Sequence, residues 1–310
     1  MKRNSISVFA PATVANVACG FDVLGFALHQ PGDIVTLNLN KSQSISIKTI
    51  TGDNGALPLD VKKNTAGVAI AAYLHYIGSK QGVEIAIEKK IPLGSGLGSS
   101  ASSSAAAVVG INELMGKPLT RKELIPFAME AERVACGAAH ADNVAPAILG
   151  GFVLIRSYTP LDIVNIPSPK RLYCSVVHPH IELLTEDARK VLKKEIKLPA
   201  AIAQWGNLAA LIAGLIRSDY DLIGRSLHDV VAEPVRSVLI PGFEHIKQAA
   251  LDAGSLGCSI SGSGPSVFAL CKDKITAQRA AAAMQKGFAQ YHLTSQVYVG
   301  KVNNEGAMIL

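Results

Sequence analysis

None of the five cysteines, Cys19, Cys136, Cys174, Cys258 and Cys271, stands in a CxxC pair, and their number is odd. That argues against a disulfide framework and against a cysteine-held zinc, and it suits a reducing compartment. Charge is sparse, with Asp, Glu, Lys and Arg making up 17% of 310 residues. There is no Lys/Arg run longer than three, no basic tail and no basic aromatic surface, so the net charge of +6 does not point to nucleic acid. A mild positive field does suit an anionic ligand. The most apolar long window, Ala200 to Ile216, contains Gln204 and Asn207 and falls short of the roughly 20 residues that cross a bilayer. The opening MKRNSISVFAPATVAN lacks the apolar core of a signal peptide. These absences lead us to expect a soluble cytoplasmic protein without membrane or nucleic-acid partners.

Hydrophobic residues make up 49%, enough for a sizeable core in one large domain or two ordinary ones. Period-two alternation predicts strands at 5–9, 33–39, 44–50 and 83–88. Asn64 or Thr65 caps a helix to about Ile77, and Thr120-x-x-Glu123 is a capping box for a helix over about 121–135. The Pro-rich, weakly periodic stretch Tyr158 to Pro169 is the expected domain boundary, dividing the chain into 1–160 and 161–310. Beyond it, helices are expected at 185–194, 199–217, 243–253 and 276–287, and strands at 172–177, 255–259, 266–271 and 294–299. Strands exceed what simple βαβ units need, so the reading is α+β.

The most informative stretch is PLGSGLGSSASSSAAAVVG, Pro92 to Gly110. Glycines let the backbone approach an anion, and a helix start offers unpaired N–H donors and a positive dipole end. No GK[ST] follows, which excludes a Walker A loop, and Ser99 stands where a GxGxxG motif has its third glycine. The loop therefore reads as a polyphosphate cradle of another type. Two further glycine-bearing segments are APATVANVACGFDVLG, Ala10 to Gly25, and SISGSGPSVFAL, Ser259 to Leu270. The latter narrowly misses a GxSxG elbow, so a hydrolase nucleophile is not supported.

Together the three segments resemble, in order and spacing, the three signature motifs of the GHMP small-molecule kinases, and PxxxGLGSSA is the most specific. Within that superfamily the first segment is similar to the homoserine kinases, whose pattern is close to PAxxANxGxGFDxxG. Pro11, Ala12, Ala15, Asn16, Gly20, Phe21, Asp22 and Gly25 fit, and Ala18 stands where the pattern has glycine. Glu132 with His140, Asp142 and Asn143 is similar to their E…HxDN segment. Thr185-x-x-Ala188-Arg189 resembles their TxxAR, and Glu233-Pro234-x-Arg236 with Ile240-Pro241-Gly242 their EPxR…IPG.

The resemblance implies a two-domain GHMP kinase fold, with an N-terminal domain like domain 2 of ribosomal protein S5 and a ferredoxin-like C-terminal domain. It implies ATP and Mg²⁺ as cofactors, L-homoserine as substrate, a homodimer, and a place in threonine biosynthesis. Pro92, Leu93, Gly94, Ser95, Gly96, Leu97, Gly98, Ser99, Ser100, Ala101 and Ser102 would hold the nucleotide, with Asn64 and Lys89 beside its base. Glu132 would hold Mg²⁺ with either Ser100 or Ser99, a hard oxygen set. Homoserine is a zwitterion with a hydroxyl, so its ammonium needs an acid and its carboxylate planar donors. Asp22, Arg189 and Arg236 supply these, with His140, Asp142 and Asn143 completing the pocket. Asn16 and Asn143 would orient the attacking hydroxyl. A mevalonate-type kinase is the alternative enzyme, although its substrate lacks an ammonium. A non-catalytic small-molecule sensor is the alternative outside catalysis.

Overall fold

The computed structural model describes residues 3–137 and 139–310. Alternation of Ile6, Val8 and Ala10 buries one face of β1 (Ser5–Ala15), and beyond Pro11 every side chain of the strand is buried. There the strand runs between two layers, and its register with β2 (Leu24–Asn40) shifts between Pro11 and Thr13, where proline offers no N–H to the ladder. β3 (Ile45–Thr51) lies parallel to β4 (Gly82–Glu88), which is antiparallel to β2. Four helices cover this sheet: α1 (Thr65–Tyr76), α2 (Ser99–Leu114), α3 (Arg121–Cys136) and α4 (Val144–Leu149). The α2 chain is buried continuously from Ala101 to Asn112. Its small side chains let it lie close to the sheet, and its serines are satisfied internally, Ser102 Oγ donating to the Ala10 carbonyl at 2.7 Å.

β5 (Phe152–Tyr158) joins β2, and β6 (Leu161–Ile166) pairs back onto β5. The stretch expected as a boundary is therefore a hairpin. Pro160 sits in the two-residue turn between the paired Tyr158 and Leu161, where its missing N–H costs the ladder nothing. The chain leaves the first sheet within 167–172, past the hairpin and not at residue 160.

β7 (Tyr173–Pro179) starts the second layer. α5 (Thr185–Lys190) is shorter than the expected 185–194. It is followed by α6 (Leu198–Arg217), α7 (Tyr220–Ser226), α8 (Glu233–Arg236) and α9 (Phe243–Asp252). β8 (Gly257–Ile260), β9 (Val267–Cys271), α10 (Lys274–Gln290) and β10 (Ser295–Lys301) complete an antiparallel sheet ordered β10-β7-β9-β8. That is the strand order of a ferredoxin-like βαββαβ unit, with α9 and α10 packed on it. β11 (Met308–Ile309) returns to pair with β1 in the first sheet. Between the layers, Phe26 stacks on Phe152 at 4.7 Å and meets Phe268 edge-on at 6.1 Å.

By length and hydropathy α6 passes for a membrane span, at 20 residues rather than the shorter window read from sequence. Its Ala201, Gln204, Leu211, Gly214 and Leu215 are buried against the protein body. Gln204 Nε2 donates to Asp229 Oδ1 and the Cys19 carbonyl, which explains a polar residue on that face.

Candidate active site

A cavity of about 240 Å³ is lined by segments from both halves of the chain. At one end lies the glycine loop. Gly94, Gly96 and Gly98 all have left-handed φ, between 65° and 73°. A Cβ on Gly96 would stand 2.5 Å from the carbonyl oxygens of Ser261 and Gly264, and one on Gly98 would stand 2.2 Å from Thr13 Oγ1. The loop is gripped from both sides: Thr13 N donates to the Leu97 carbonyl at 3.0 Å, and Ser261 Oγ to the Gly96 carbonyl at 2.8 Å. Gly98 is the N-cap of α2 and supplies no side-chain cap. The first-turn amides of the helix are thus left to an incoming anion.

Beside this loop lies Glu132, on α3 and 6% exposed. Burial pushes its carboxyl up to about 7, opposed by a hydrogen bond with Ser100 and by the charge of Lys89. Ser99 Oγ donates instead to the Ile91 carbonyl at 3.1 Å. Of the two serines, Ser100 is the one at the carboxyl. A buried carboxyl beside a hydroxyl is a hard oxygen pair that gains by meeting a cation, so the residues fit Mg²⁺. Among the described residues no three or more His, Cys, Asp or Glu gather into a metal cluster, so phosphate oxygens and water would complete the coordination.

The other end of the cavity carries the side-chain charges. Arg189 reaches Asp22 with both amino groups, Nη2 to Oδ1 at 3.0 Å and Nη1 to Oδ2 at 3.4 Å. His140 Nδ1 lies 3.8 Å from Asp22 Oδ1, and burial lowers the His140 pKa. Arg236 is 4% exposed. Its Nε donates to the Ala188 carbonyl at 3.0 Å, its Nη1 to the Gly262 carbonyl at 3.1 Å, and its guanidinium sits 5.0 Å from the Phe21 ring centre. Burial, reinforced by Asp22, pushes Asp142 up to about 7, and its buried Oδ1 has no hydrogen-bond partner. Tyr158 OH donates to the Asp22 carbonyl at 2.9 Å, tying the β5 end to this corner.

Asn16, Val17 and Ala18 form an unbroken left-handed run, φ 70°, 43° and 58°. Asn16 holds it together: its Nδ2 donates to the Gly262 carbonyl at 2.8 Å and its Oδ1 accepts the Asp22 N–H at 3.0 Å. Its amide is thus a tether between the first and third glycine segments as well as a cavity wall. Thr13 Oγ1 donates to Asn143 Oδ1 at 2.7 Å, which fixes the orientation of that amide.

Two family models match the chain, the GHMP kinases N-terminal domain over residues 64–151 and the GHMP kinases C-terminal domain over residues 211–290. The homoserine kinase of Chlorobium phaeobacteroides (strain DSM 266) is 56% identical over 97% of this chain and 98% of its own length. That of Chlorobaculum tepidum is 54% identical over 99% and 98%. The crystal structure of homoserine kinase from Cytophaga hutchinsonii superposes with a TM-score of 0.98 at 56% identity, covering 100% of this chain and 98% of that one. The chain belongs to the homoserine kinase family of the GHMP kinases. Mevalonate kinase from L. major, at 17% identity and a TM-score of 0.71, shares the fold.

Of the residues expected from the homoserine kinase motifs, Asn16, Asp22, Glu132, His140, Asp142, Asn143, Arg189 and Arg236 all line the cavity, as do Leu93 to Gly96 and Gly98 to Ser100. Pro92, Leu97, Ala101 and Ser102 flank it and do not line it. Leu97 and Ala101 are wholly buried among apolar neighbours. Asn64 and Lys89 are placed outside it. Asn64 caps α1, accepting from Ala66 N and donating to the Pro58 carbonyl, while Lys89 is bonded to Asp33, Ser103 and the Ser99 carbonyl. Both side chains thus have partners within the protein, at positions where the motif resemblance puts the nucleotide base. Four lining residues were not in the expected set: Ala15, Thr185, Gly262 and Ser263. Thr185 and Ser263 line the cavity with their hydroxyls 3.3 Å apart. Thr185 opens the TxxAR segment and Ser263 lies in the third glycine segment. The signal was the glycines at 262 and 264, which leave room for the Ser263 turn.

Proposed function

We propose that the protein transfers the γ-phosphoryl group of ATP to the side-chain hydroxyl of L-homoserine, giving O-phospho-L-homoserine for threonine biosynthesis. The observation that carries this reading is the placing of one acid and two guanidiniums, Asp22, Arg189 and Arg236, in the same cavity as an uncapped helix start. The first set matches a zwitterion and the second a triphosphate. The identities with homoserine kinases support it.

The α2 amides and the glycine loop receive the triphosphate. Mg²⁺, held by Ser100 and Glu132, would neutralise charge on the phosphate oxygens. Arg189 and Arg236 take the substrate carboxylate, while Asp22 and the unpartnered Asp142 oxygen face its ammonium. An ammonium there draws Asp142 back toward the carboxylate. Asn143, set by Thr13, and Asn16, set by Gly262 and Asp22, orient the hydroxyl for in-line attack. Phosphoryl transfer depends mostly on such alignment and charge stabilisation. A loose transition state needs no early strong base, so the hydroxyl proton passes to the transferred phosphoryl group.

Supporting a reducing compartment, Cys19, Cys174, Cys258 and Cys271 are free buried thiols, each pushed up in pKa by burial. A homodimer is part of the same reading, and light scattering in solution tests it. The activity is tested by coupled ADP release with MgATP over homoserine, mevalonate, galactose and buffer alone. Turnover is expected with homoserine, and equal turnover of mevalonate rejects the assignment.

A further inference from the structure

Lys89 and Asp33 form an ion pair whose side chains are 2% and 0% exposed, outside the cavity. A pair this deep loses much hydration, and depth alone says little about stability. Its contacts say more. Asp33 Oδ1 accepts the backbone N–H of Lys90 at 2.9 Å and of Ile91 at 3.1 Å, the residues that lead into the glycine loop. Asp33 Oδ2 accepts from the Lys89 ammonium and from Ser103 Oγ, the latter at 2.9 Å. The ammonium also donates to the Ser99 carbonyl at 2.7 Å, in the first turn of α2 where the loop ends. Ser99 Oγ closes the ring by donating to the Ile91 carbonyl. The entry and exit of the loop are therefore pinned to one buried charge pair.

We propose that Asp33 and Lys89 are positioning residues for phosphoryl transfer: they set the span between the two ends of the glycine loop and so aim the first-turn amides of α2 at the phosphates. This rests on the loop being the triphosphate cradle. Neither side chain needs to touch the nucleotide. A solvated surface pair could not do this, because its geometry would fluctuate with its long side chains. Here both Asp33 oxygens and the Lys89 ammonium have fixed partners on the segment leading into the loop or on α2.

The experiment is calorimetric titration of MgATP and of magnesium tripolyphosphate, which has no base or ribose, into the full-length wild type, Asp33→Asn, Lys89→Met and the double variant. The wild type should bind both ligands. Each single change should weaken both ligands by the same factor, at least about tenfold, the scale of a lost charge-assisted contact. The double variant should be no weaker than the worse single, since the pair acts as a unit. The KM for homoserine should stay within about twofold in every variant. If the wild type binds MgATP and not tripolyphosphate, the cradle reading itself fails. If Lys89→Met weakens MgATP alone and Asp33→Asn weakens neither, Lys89 touches the nucleoside and the positioning role is wrong. A lowered Tm with both affinities unchanged also overturns it. Should a charge variant not fold, Ser103→Ala removes one bridging hydroxyl without unpairing a charge. It should weaken both ligands alike by about threefold, and unchanged binding rejects the proposal.

Discussion

The two ends of the cavity are built in different ways. The end proposed for the phosphates is nearly contiguous, running from Leu93 to Ser100, and it presents backbone amides and the space that absent Cβ atoms leave. The end proposed for the amino acid draws Asp22, His140, Asp142, Arg189 and Arg236 from distant segments and presents side chains. A backbone site is specified by conformation, so it tolerates no side chain at Gly96 or Gly98, and its distant supports, Thr13 and Ser261, hold the loop through its own carbonyls. A side-chain site is specified by the whole fold, because its groups meet only after both layers have packed.

The largest expected effect tests whether the phosphate end needs a carboxylate as well as a backbone. Glu132→Gln should lower kcat by about 100-fold or more, the scale of losing a preorganised electrostatic partner. It should also raise the Tm above pH 7, because a buried charge is removed. Wild-type turnover at limiting Mg²⁺ would make Glu132 an ordinary helix residue. Next is the amino-acid end: Arg236→Leu should raise the homoserine KM by about 10–150-fold, from roughly 1.5–3 kcal/mol of lost charge-assisted bonding. The KM for MgATP should stay within about twofold. Equal losses for both substrates would mean that the two ends are one coupled unit.

A smaller effect concerns pH. The Glu132 carboxyl titrates near 7 in the folded protein, against 4.5 for an ordinary glutamate. Below its folded pKa it is protonated and cannot bind a cation. At limiting Mg²⁺ the acid limb of kcat should fall near pH 7 and move to lower pH as Mg²⁺ is raised. For stability the sign is opposite to that of a salt-bridged acid. The folded protein keeps protons that the unfolded chain releases, for Glu132 between 4.5 and about 7 and for Asp142 between 3.8 and about 7. The metal-free Tm should therefore be lower at about pH 8 than at about pH 6. A flat profile would locate the charge compensation elsewhere. The smallest effect lies at the joint between the ends. Ala18 holds φ 58°, where an L side chain is strained by roughly 1–2 kcal/mol. Ala18→Gly should leave the Tm level or higher, whereas Ala105→Gly in the middle of α2 should lower it by several degrees. Equal losses would show that the left-handed run carries no strain.

The difference in construction explains what could be read from sequence. The glycine loop and the helix start after it were legible because glycine spacing before a helix has a local physical meaning. The α3 start was legible too: Thr120 N does donate to Glu123 Oε2, at 2.7 Å. The amino-acid end was legible only through its match to motifs, since nothing local separates Arg236 from a surface arginine. The β5–β6 hairpin was missed because Pro160 and weak periodicity imitate a linker, although the proline occupies only the turn. The tethering of Asn16 was invisible because its partner carbonyl belongs to Gly262, in the other layer. The buried pairing of Lys89 was not legible because its counter-ion, Asp33, is far away in sequence.

The paired Asp22 and Arg189 carry a consequence for selectivity. Before substrate arrives, Asp22 and Arg189 already balance each other's charge. A zwitterion that inserts its ammonium toward Asp22 and its carboxylate toward Arg189 exchanges one balanced pair for two. An amine without a carboxylate, or an acid without an ammonium, would take one partner and strand the other in a half-buried corner. On the proposed binding mode the pair would work as a filter on net charge, discriminating against singly charged look-alikes before any contact with the hydroxyl is made.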